Sequence, residues 1–356
     1  MTMQILHILP DIREVGNGIV NATVDLACEQ SRLGHGVSIA SAGGEFEGLL
    51  AAHHVEHVSF GVSRSPSRLL AVRRRLGAVI DSIRPDVIHA HTVTTALTVR
   101  ASRLMTRPPL VTTVHNEFNR SASLMAVGDL VIAPSQAVAA RLRRRHVPRH
   151  KIRVVLNGTL GSPRTVGRQA TIPASLCRPA VVTVAGMYKR KGISDLIDAF
   201  AQVASELPSS HLYIVGEGPD RAEFEAQARA TGIAERIHFT GYQRDTYQYL
   251  LAADLFVLAS RREPFGLVLA EARESGCAIL ASDADGIPEV LDMGRAGCLF
   301  PAGDCKALAC NIKMFLTDDD YRRSWQRAAG QNIEWLRTDR VAQDTLTVYD
   351  ELVGST

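Results

Sequence analysis

The sequence predicts an α/β protein of two Rossmann-like, doubly wound parallel-sheet domains, and three observations carry that expectation. A chain of 356 residues is longer than one ordinary domain, so two cores are expected. Residues 4–10 (QILHILP) read as a strand, a helix follows to about Arg32, residues 33–36 (LGHG) stop it, and residues 37–40 (VSIA) start a second strand. That βαβ opening favours a parallel sheet. Residues 158–179 are rich in Gly, Pro, Ser and Thr without a period, and residues 180–186 (AVVTVAG) then begin a second strand–turn–helix unit. The expected division is a first domain at 1–160, a linker at 161–178, a second domain at 179–335 and a terminal helix at 336–356.

Composition narrows the class. Apolar residues make up 46% of the chain, enough for two cores, and mean hydropathy is +0.02. No apolar run approaches the ~20 residues of a membrane span. Residues 1–10 lack the basic start and cleavage site of a signal peptide and read as a first strand. Cysteines 28, 177, 277, 298, 305 and 310 show neither C-x-x-C pairing nor zinc spacing, which suits reduced thiols in a cytoplasmic protein. Charge is uneven. Residues 1–168 hold 21 Arg/Lys against 11 Asp/Glu (net +10), and residues 169–356 hold 19 against 26 (net −7). The two halves are expected to meet different partners.

In the first half, Gly16-x-Gly18-x-x-Asn21 is a near miss to a dinucleotide fingerprint, with no third glycine and too long a loop after the strand. A basic amphipathic stretch spans 63–84, with Arg64, Arg68, Arg73, Arg74, Arg75 and Arg84 set among Leu69, Leu70, Val72, Leu76, Val79, Ile80 and Ile83. A second basic run is RLRRRH at 141–146. These are either solvated helix faces or a surface that meets an anionic membrane or anionic acceptor. Nucleic acid is disfavoured, because aromatics are 5% of the chain and no nucleic-acid motif occurs. Strand 87–91 (VIHAH) ends in His89 and His91, and strand 110–118 (LVTTVHNEF) carries His115. Polar residues at strand carboxyl ends line the crevice of an open α/β sheet. A lone histidine there is as often structural as functional, but three after successive strands point to a site. Residues 129–136 read as a strand running into a Ser-capped helix, and 152–158 as the last strand of this sheet.

In the second half, Met187 is followed by Tyr188, Lys189, Arg190, Lys191 and Gly192, with a helix from about Ser194. Three cations between a strand and a helix N-terminus fit a pyrophosphate or, alone, a surface loop. Residues 211–219 and 236–242 are further strand-to-glycine turns that would wall a nucleotide base, with Ile237 to Phe239 near it. The stretch around which the chain is organised is 254–276. Leu255–Leu258 is a short buried strand, residues 260–262 (SRR) form an elbow, and residues 263–266 (EPFG) open a helix that runs to about Ser275. The helix N-terminus offers free N–H groups and the positive end of its dipole to an anion. Glu263 and Glu271 bracket it, as in an ordinary amphipathic helix, or as acceptors for hydroxyls on either side of a pyrophosphate. Residues 278–290 supply another strand and turn, and 305–356 are helical in pattern. Two Asp-x-Asp patterns occur, at Asp283/Asp285 and Asp318/Asp320, without a convincing metal-ligand set.

EPFGLVLAE at 263–271 resembles the signature of retaining, nucleotide-sugar-dependent glycosyltransferases of family 4. The segments DVIHAH at 86–91, TVH at 113–115 and DGIPE at 285–289 are similar to that family's as well. The resemblance covers nearly the whole chain and implies the GT-B fold, two Rossmann-like domains facing an interdomain cleft, with the last helix crossing back to the first domain. It implies that Glu263 contacts hydroxyls of the donor sugar and that the N–H groups of Phe265, Gly266 and Leu267 lie against sugar and phosphate. Glu271 would hold the ribose hydroxyls. Lys191 and Arg190 would clamp the pyrophosphate beside Gly186, Gly16 and Gly18 would let backbone approach the donor phosphates, and His115 would border the donor sugar with His91 and His89 supporting the cleft wall. Four features depart from the family pattern: Met187 stands where an Arg is usual, Lys191 follows Gly186 by five residues where about six is usual, Leu160 stands where an acid is usual near the hinge, and Asp285 where a glycine is usual. The implied activity moves a sugar from a UDP- or GDP-sugar to an acceptor hydroxyl with retention, with no cofactor and no metal. The basic first half favours a saccharide or lipid-linked acceptor of surface polysaccharide, glycolipid or lipopolysaccharide, with peripheral contact at the inner face of an anionic membrane. A soluble small-molecule or natural-product acceptor, a nucleotide-sugar epimerase, a phosphorylase and a non-catalytic nucleotide-sugar-binding partner are the alternatives.

Overall fold

The computed structural model describes residues 2–61, 69–102, 108–116, 120–165 and 170–354, with the side chains of 69, 70 and 120 outside that set. Arg64, Arg68, the side chains of Leu69 and Leu70, Phe118 and linker residues 166–169 therefore lie outside the described residues. Two units are present, one drawn from Met1–Val166 with Leu336–Thr356 and one from Gly167–Trp335.

Unit 1 is built on seven parallel strands: β1 (Gln4–Ile8), β2 (Gly36–Ser41), β3 (Glu56–Ser59), β4 (Val87–Ala90), β5 (Leu110–Thr113), β6 (Leu130–Ala133) and β7 (Ile152–Val154). Their order is β3-β2-β1-β4-β5-β6-β7. The order reverses between β1 and β4, which opens a crevice at the carboxyl ends of those strands. Helices cover both faces, so the strands are apolar almost without alternation. Leu6, Ile8, Ile88 and Ala90 enter the core on one face, while Ile5, Leu9, Val87 and Val111 enter the core on the other. Among the buried polar residues that interrupt this pattern are His7 and His89, register partners on β1 and β4.

The helix Gly18–Arg32 lies over the second face. The Asn17 side chain accepts from the amide of Ile19 at 3.0 Å and caps its N-terminus, an interaction that contributes about 1 kcal/mol. Val20, Val24, Ala27 and Cys28 recur at helical spacing on its buried side. The helix Thr338–Val353 packs beside it and belongs to the same unit. Leu160 fastens that C-terminal segment: its amide donates to Leu336 O at 3.0 Å, and the amide of Thr338 donates to Leu160 O at 2.9 Å. Backbone pairing thus acts at a position where an acidic side chain is usual.

Unit 2 carries six parallel strands, β8 (Ala180–Val184), β9 (His211–Val215), β10 (Ile237–Gly241), β11 (Leu255–Leu258), β12 (Ile279–Ser282) and β13 (Cys298–Phe300). Their order, β10-β9-β8-β11-β12-β13, reverses between β8 and β11. The helix Ile193–Glu206 buries Ile193, Leu196, Ile197, Phe200 and Val203, an i, i+3, i+4, i+7 stripe. The helix Cys305–Thr317, capped by Asp304, packs alongside it. Among the elements that go beyond the sequence expectation are β3 and β13, edge strands of four and three residues. The regular helix of the glutamate segment runs Leu267–Glu274 rather than opening at Glu263, because Gly266 sits at φ +92 and keeps residues 263–266 as a turn.

Candidate active site

In unit 2 the strand order reverses where β8 and β11 end, and two loops meet there. After β8 the chain turns through Gly186. Met187 is fully buried in the core, so the position following Gly186 supplies no cation. The cations come from a single 3-10 turn, Lys189–Lys191. Gly192 closes that turn at φ +66, where a Cβ would stand 1.9 Å from the Ala259 carbonyl oxygen. The close approach lets the amides of Arg261 and Arg262 donate to Arg190 O at 2.8 and 3.3 Å. The Arg190 guanidinium lies over the Tyr188 ring, 5.2 Å from its centroid.

Lys191 Nζ forms an ion pair with Glu263, and the two side chains are only 15% and 10% exposed. Ser260 Oγ also donates to Glu263 Oε2 at 3.2 Å. The backbone of Glu263 is pinned by the DGIPE turn: its amide donates to Asp285 Oδ2 at 3.1 Å, and Gly286 donates to its carbonyl at 3.0 Å. Asp285 additionally pairs with Arg262 at 2.8 Å and takes a left-handed φ of 45° at the position where glycine is usual. Sequence reasoning gave this turn a packing role; it also orients the first glutamate. Phe265 is buried edge-on against Trp335, with centroids 6.3 Å apart. Leu267 and Glu271 are half-buried on the eight-residue helix, in whose first turn the Leu269 amide donates to Gly266 O at 2.9 Å.

The same helix holds a residue that the sequence gave no reason to single out. Arg273 is fully buried and donates to the carbonyls of Ala329 (3.0 Å), Val290 (2.6 Å) and Gln331 (2.6 Å), with Asp292 at 3.2 Å. It is a clamp behind the site. The Asp-x-Asp patterns are likewise engaged locally. Asp283 Oδ1 accepts from the amide of Ala302 at 2.9 Å, and Asp318 caps a helix by accepting from Tyr321 at 2.8 Å.

In unit 1, Gly16 has φ +69 and Gly18 is the first residue of the helix after β1. Beyond it lies a chain of histidines. His7 Nε2 is 2.8 Å from Gln30 Oε1, His7 Nδ1 is 2.9 Å from His91 Nε2, and His91 Nδ1 is 3.0 Å from His115 Nε2. His89 stands beside them, 2.6 Å from the Tyr349 hydroxyl and 2.7 Å from Thr113 Oγ1. His91 and His115 border two recesses, one walled by Asp25, Asn157 and Thr338 and the other by Ile19, Ser121 and Met125. Asp25 is buried and held by Arg164 and Ser162 at 2.8 and 2.6 Å.

His89 departs from expectation: it is wholly inside the core and lines neither recess, because it lies within β4 while His91 lies just past its end. His7, Gln30 and Tyr349 were missed. A histidine inside the apolar run of β1 was the one available signal. Burial pushes His7 and His115 down to about 4 and His89 and His91 well below the ordinary histidine value, so the network is neutral at pH 7. His7, His89 and His91 bring ligand atoms within 4.8 Å of one another. Every one of those ring nitrogens already has a hydrogen-bond partner, so an ion there would have to break the network.

Two parallel-sheet units, each with the strand order that reverses beside its first strand, and a glutamate-bracketed helix N-terminus in the second define a GT-B glycosyltransferase. The chain belongs to glycosyltransferase family 4: the model described as Glycosyltransferase Family 4 matches residues 16–159, and that described as Glycosyl transferases group 1 matches residues 173–332. It is 30% identical over 285 residues to the lipopolysaccharide core biosynthesis glycosyltransferase LpsD of Rhizobium meliloti, covering 80% of this chain and 78% of that one. It is 24% identical over 363 residues to the N-acetyl-alpha-D-glucosaminyl L-malate synthase of Bacillus anthracis, covering 95% and 94%. Among solved structures, Anabaena HepE in complex with UDP and glucose superposes with a TM-score of 0.83 at 23% identity, over 98% of this chain and 100% of that one, a likeness of fold.

Proposed function

We propose that this glycosyltransferase moves a sugar from a UDP- or GDP-sugar to a hydroxyl of a saccharide or lipid-linked acceptor, with retention and without a metal, in surface polysaccharide, glycolipid or lipopolysaccharide synthesis. The observation that carries the reading is the Lys191–Glu263 pair beside the N-terminus of Leu267–Glu274. In the free protein each charge offsets the other. When a nucleotide sugar enters, Lys191 and the helix N-terminus face the pyrophosphate while Glu263 accepts from sugar hydroxyls and Glu271 from the ribose. The bond from the anomeric carbon to the β-phosphate oxygen breaks, and the nucleoside diphosphate leaves with the electron pair. Lys191, Arg190 and the first-turn N–H groups offset its charge. The acceptor oxygen bonds to the same face of that carbon, and its proton passes to the departing phosphate oxygen. Glu263 positions the sugar. His115 in unit 1 takes a sugar hydroxyl.

HepE, solved with UDP and glucose, supports a uridine donor, and LpsD and the phosphatidyl-myo-inositol mannosyltransferase of Mycobacterium leprae support a surface or lipid acceptor. Exposed Arg73, Arg74, Arg75, Arg84, Arg143 and Arg144 suit an anionic acceptor or bilayer surface. No helix among the described residues is long and apolar enough to cross a membrane.

The test is thermal unfolding with UDP, GDP, ADP, dTDP and NAD, each with and without EDTA. A ligand at about 100 times its Kd adds about 2.7 kcal/mol, a shift of several degrees. One nucleoside diphosphate should raise Tm, the shift should survive EDTA, and Glu271→Ala should abolish it. A shift with NAD alone would overturn the reading, and a shift lost with EDTA would overturn its metal independence. Product from the identified donor should keep the donor's anomeric configuration; a trapped sugar–Glu263 adduct would replace positioning by covalent catalysis.

A further inference from the structure

The buried polar network behind the first sheet determines what kind of hydrogen bond His115 can make. It begins at Gln30, a fully buried residue near the end of the helix Gly18–Arg32. Its carboxamide is held at both ends, by His7 at the oxygen (2.8 Å) and by the Tyr349 hydroxyl at the nitrogen (3.4 Å). An amide oxygen only accepts, so His7 carries its proton on Nε2. Neutral His7 then has a bare Nδ1, which accepts from His91 Nε2–H at 2.9 Å. The bare Nδ1 of His91 accepts in turn from His115 Nε2–H at 3.0 Å. The second arm agrees: Gln30 Nε2–H donates to the Tyr349 hydroxyl, that hydroxyl donates to His89 Nδ1 at 2.6 Å, and His89 Nε2–H donates to Thr113 Oγ1 at 2.7 Å. Every ring nitrogen up to His115 Nε2 has a defined role. His115 Nδ1 has no hydrogen-bond partner among the described residues, and its ring borders both recesses at the carboxyl end of the sheet.

We infer that Gln30, through His7 and His91, is a positioning residue that fixes the tautomer of His115, so that Nδ1 meets the substrate only as a hydrogen-bond acceptor. A bare imidazole nitrogen accepts from a hydroxyl and gives nothing to a phosphate, carboxylate or carbonyl oxygen. The recess therefore selects a sugar hydroxyl, an inference that rests on the glycosyltransferase reading for its substrate. Burial keeps all four histidines neutral at pH 7. Asp25, the carboxylate on the wall of one recess, is held by Arg164 and Ser162.

The relay has a single point of release. Gln30→Leu removes the oxygen that holds the proton on His7 Nε2. Neutral His7 is then free to carry its proton on either ring nitrogen. With the proton on Nδ1 it donates to His91, His91 donates from Nδ1 to His115 Nε2, and His115 is left with its proton on Nδ1. One substitution far from the recess frees an acceptor to become a donor.

Long-range 1H–15N correlation spectra of 15N-histidine-labelled full-length protein read both ring nitrogens directly, with His115 assigned by its loss in His115→Gln. The wild-type protein, with no substrate present, should show His115 protonated at Nε2 and bare at Nδ1. Gln30→Leu should add a population of His115 protonated at Nδ1, and Tyr349→Phe, which breaks only the other arm, should leave His115 as in wild type. A wild-type His115 protonated at Nδ1 would overturn the inference, and so would a folded Gln30→Leu protein with an unchanged tautomer. If Gln30→Leu does not fold, the wild-type and Tyr349→Phe spectra decide. The spectra are independent of sugar transfer, so this relay and the proposed reaction can fail separately.

Discussion

Acidification between pH 7 and 5 should destabilise unit 1 far more than unit 2, and the histidine network sets the size of the effect. His7 is fully buried, and its pKa is lowered from 6.5 to about 4 by desolvation. Above pH 6.5 neither the folded nor the unfolded chain holds a proton there. As pH falls below 6.5 the unfolded chain binds one and the folded chain does not. Stability is therefore fully present above 6.5 and is lost progressively down to about 4. Between 6.5 and 5 the loss is 1.5 pH units, or about 2 kcal/mol for a single histidine at 1.36 kcal/mol per unit. His89 and His91 are fully buried and lowered in the same direction by desolvation, so they add to a loss that His7 alone sets at about 2 kcal/mol, against the 5–15 kcal/mol stability of an ordinary domain. Carboxylates titrate near or below pH 4.5 in the unfolded chain and contribute little in this window. Hydrogen exchange followed by mass spectrometry, corrected for the intrinsic pH dependence of exchange, should show protection of β1, β4 and β5 falling by more than tenfold from pH 6.5 to 5. Both tryptophans, Trp325 and Trp335, lie in unit 2, where their fluorescence provides an internal reference. A decrease in β1, β4 and β5 protection smaller than tenfold would refute the neutral, buried network.

Two further substitutions probe unit 2. Arg273→Ala removes a buried cation and leaves the carbonyls of Val290, Ala329 and Gln331 without their donor; urea unfolding followed by tryptophan fluorescence should show a loss of about 3–5 kcal/mol, and a loss under about 1 kcal/mol would mean that the clamp is dispensable. Asp285→Gly keeps the left-handed turn, since φ 45° suits glycine, but removes the acceptor for the Glu263 amide and the partner of Arg262; stability should change by less than about 1 kcal/mol while kcat falls about tenfold, and an unchanged kcat would show that the turn alone orients Glu263.

The parts of this molecule that were legible in its sequence are those whose chemistry is local. Leu255–Leu258 was readable as a strand because a parallel strand covered on both faces is a continuous apolar run. Lys191, Glu263 and Glu271 stood out because they lie at strand ends and helix starts of a doubly wound sheet and within segments that resemble the family's. The helix start was displaced to Leu267 because proline suggests a first helical turn, whereas the actual boundary follows from the backbone at Gly266, a tertiary choice. Met187 shows the converse: a position next to the cationic turn Lys189–Lys191 can be taken by the core. The histidine relay could not be read in this way. Gln30 is 23 residues from His7, and Tyr349 is 260 residues from His89. No period or spacing links a glutamine on one helix, a tyrosine on another and four imidazoles over three strands. Their meeting follows from strand order, which sets β1, β4 and β5 side by side, and from the two helices that cover one face of those strands. A sequence motif can therefore single out His115, while the hydrogen-bond partners of its ring are set by strand order and by residues behind the sheet.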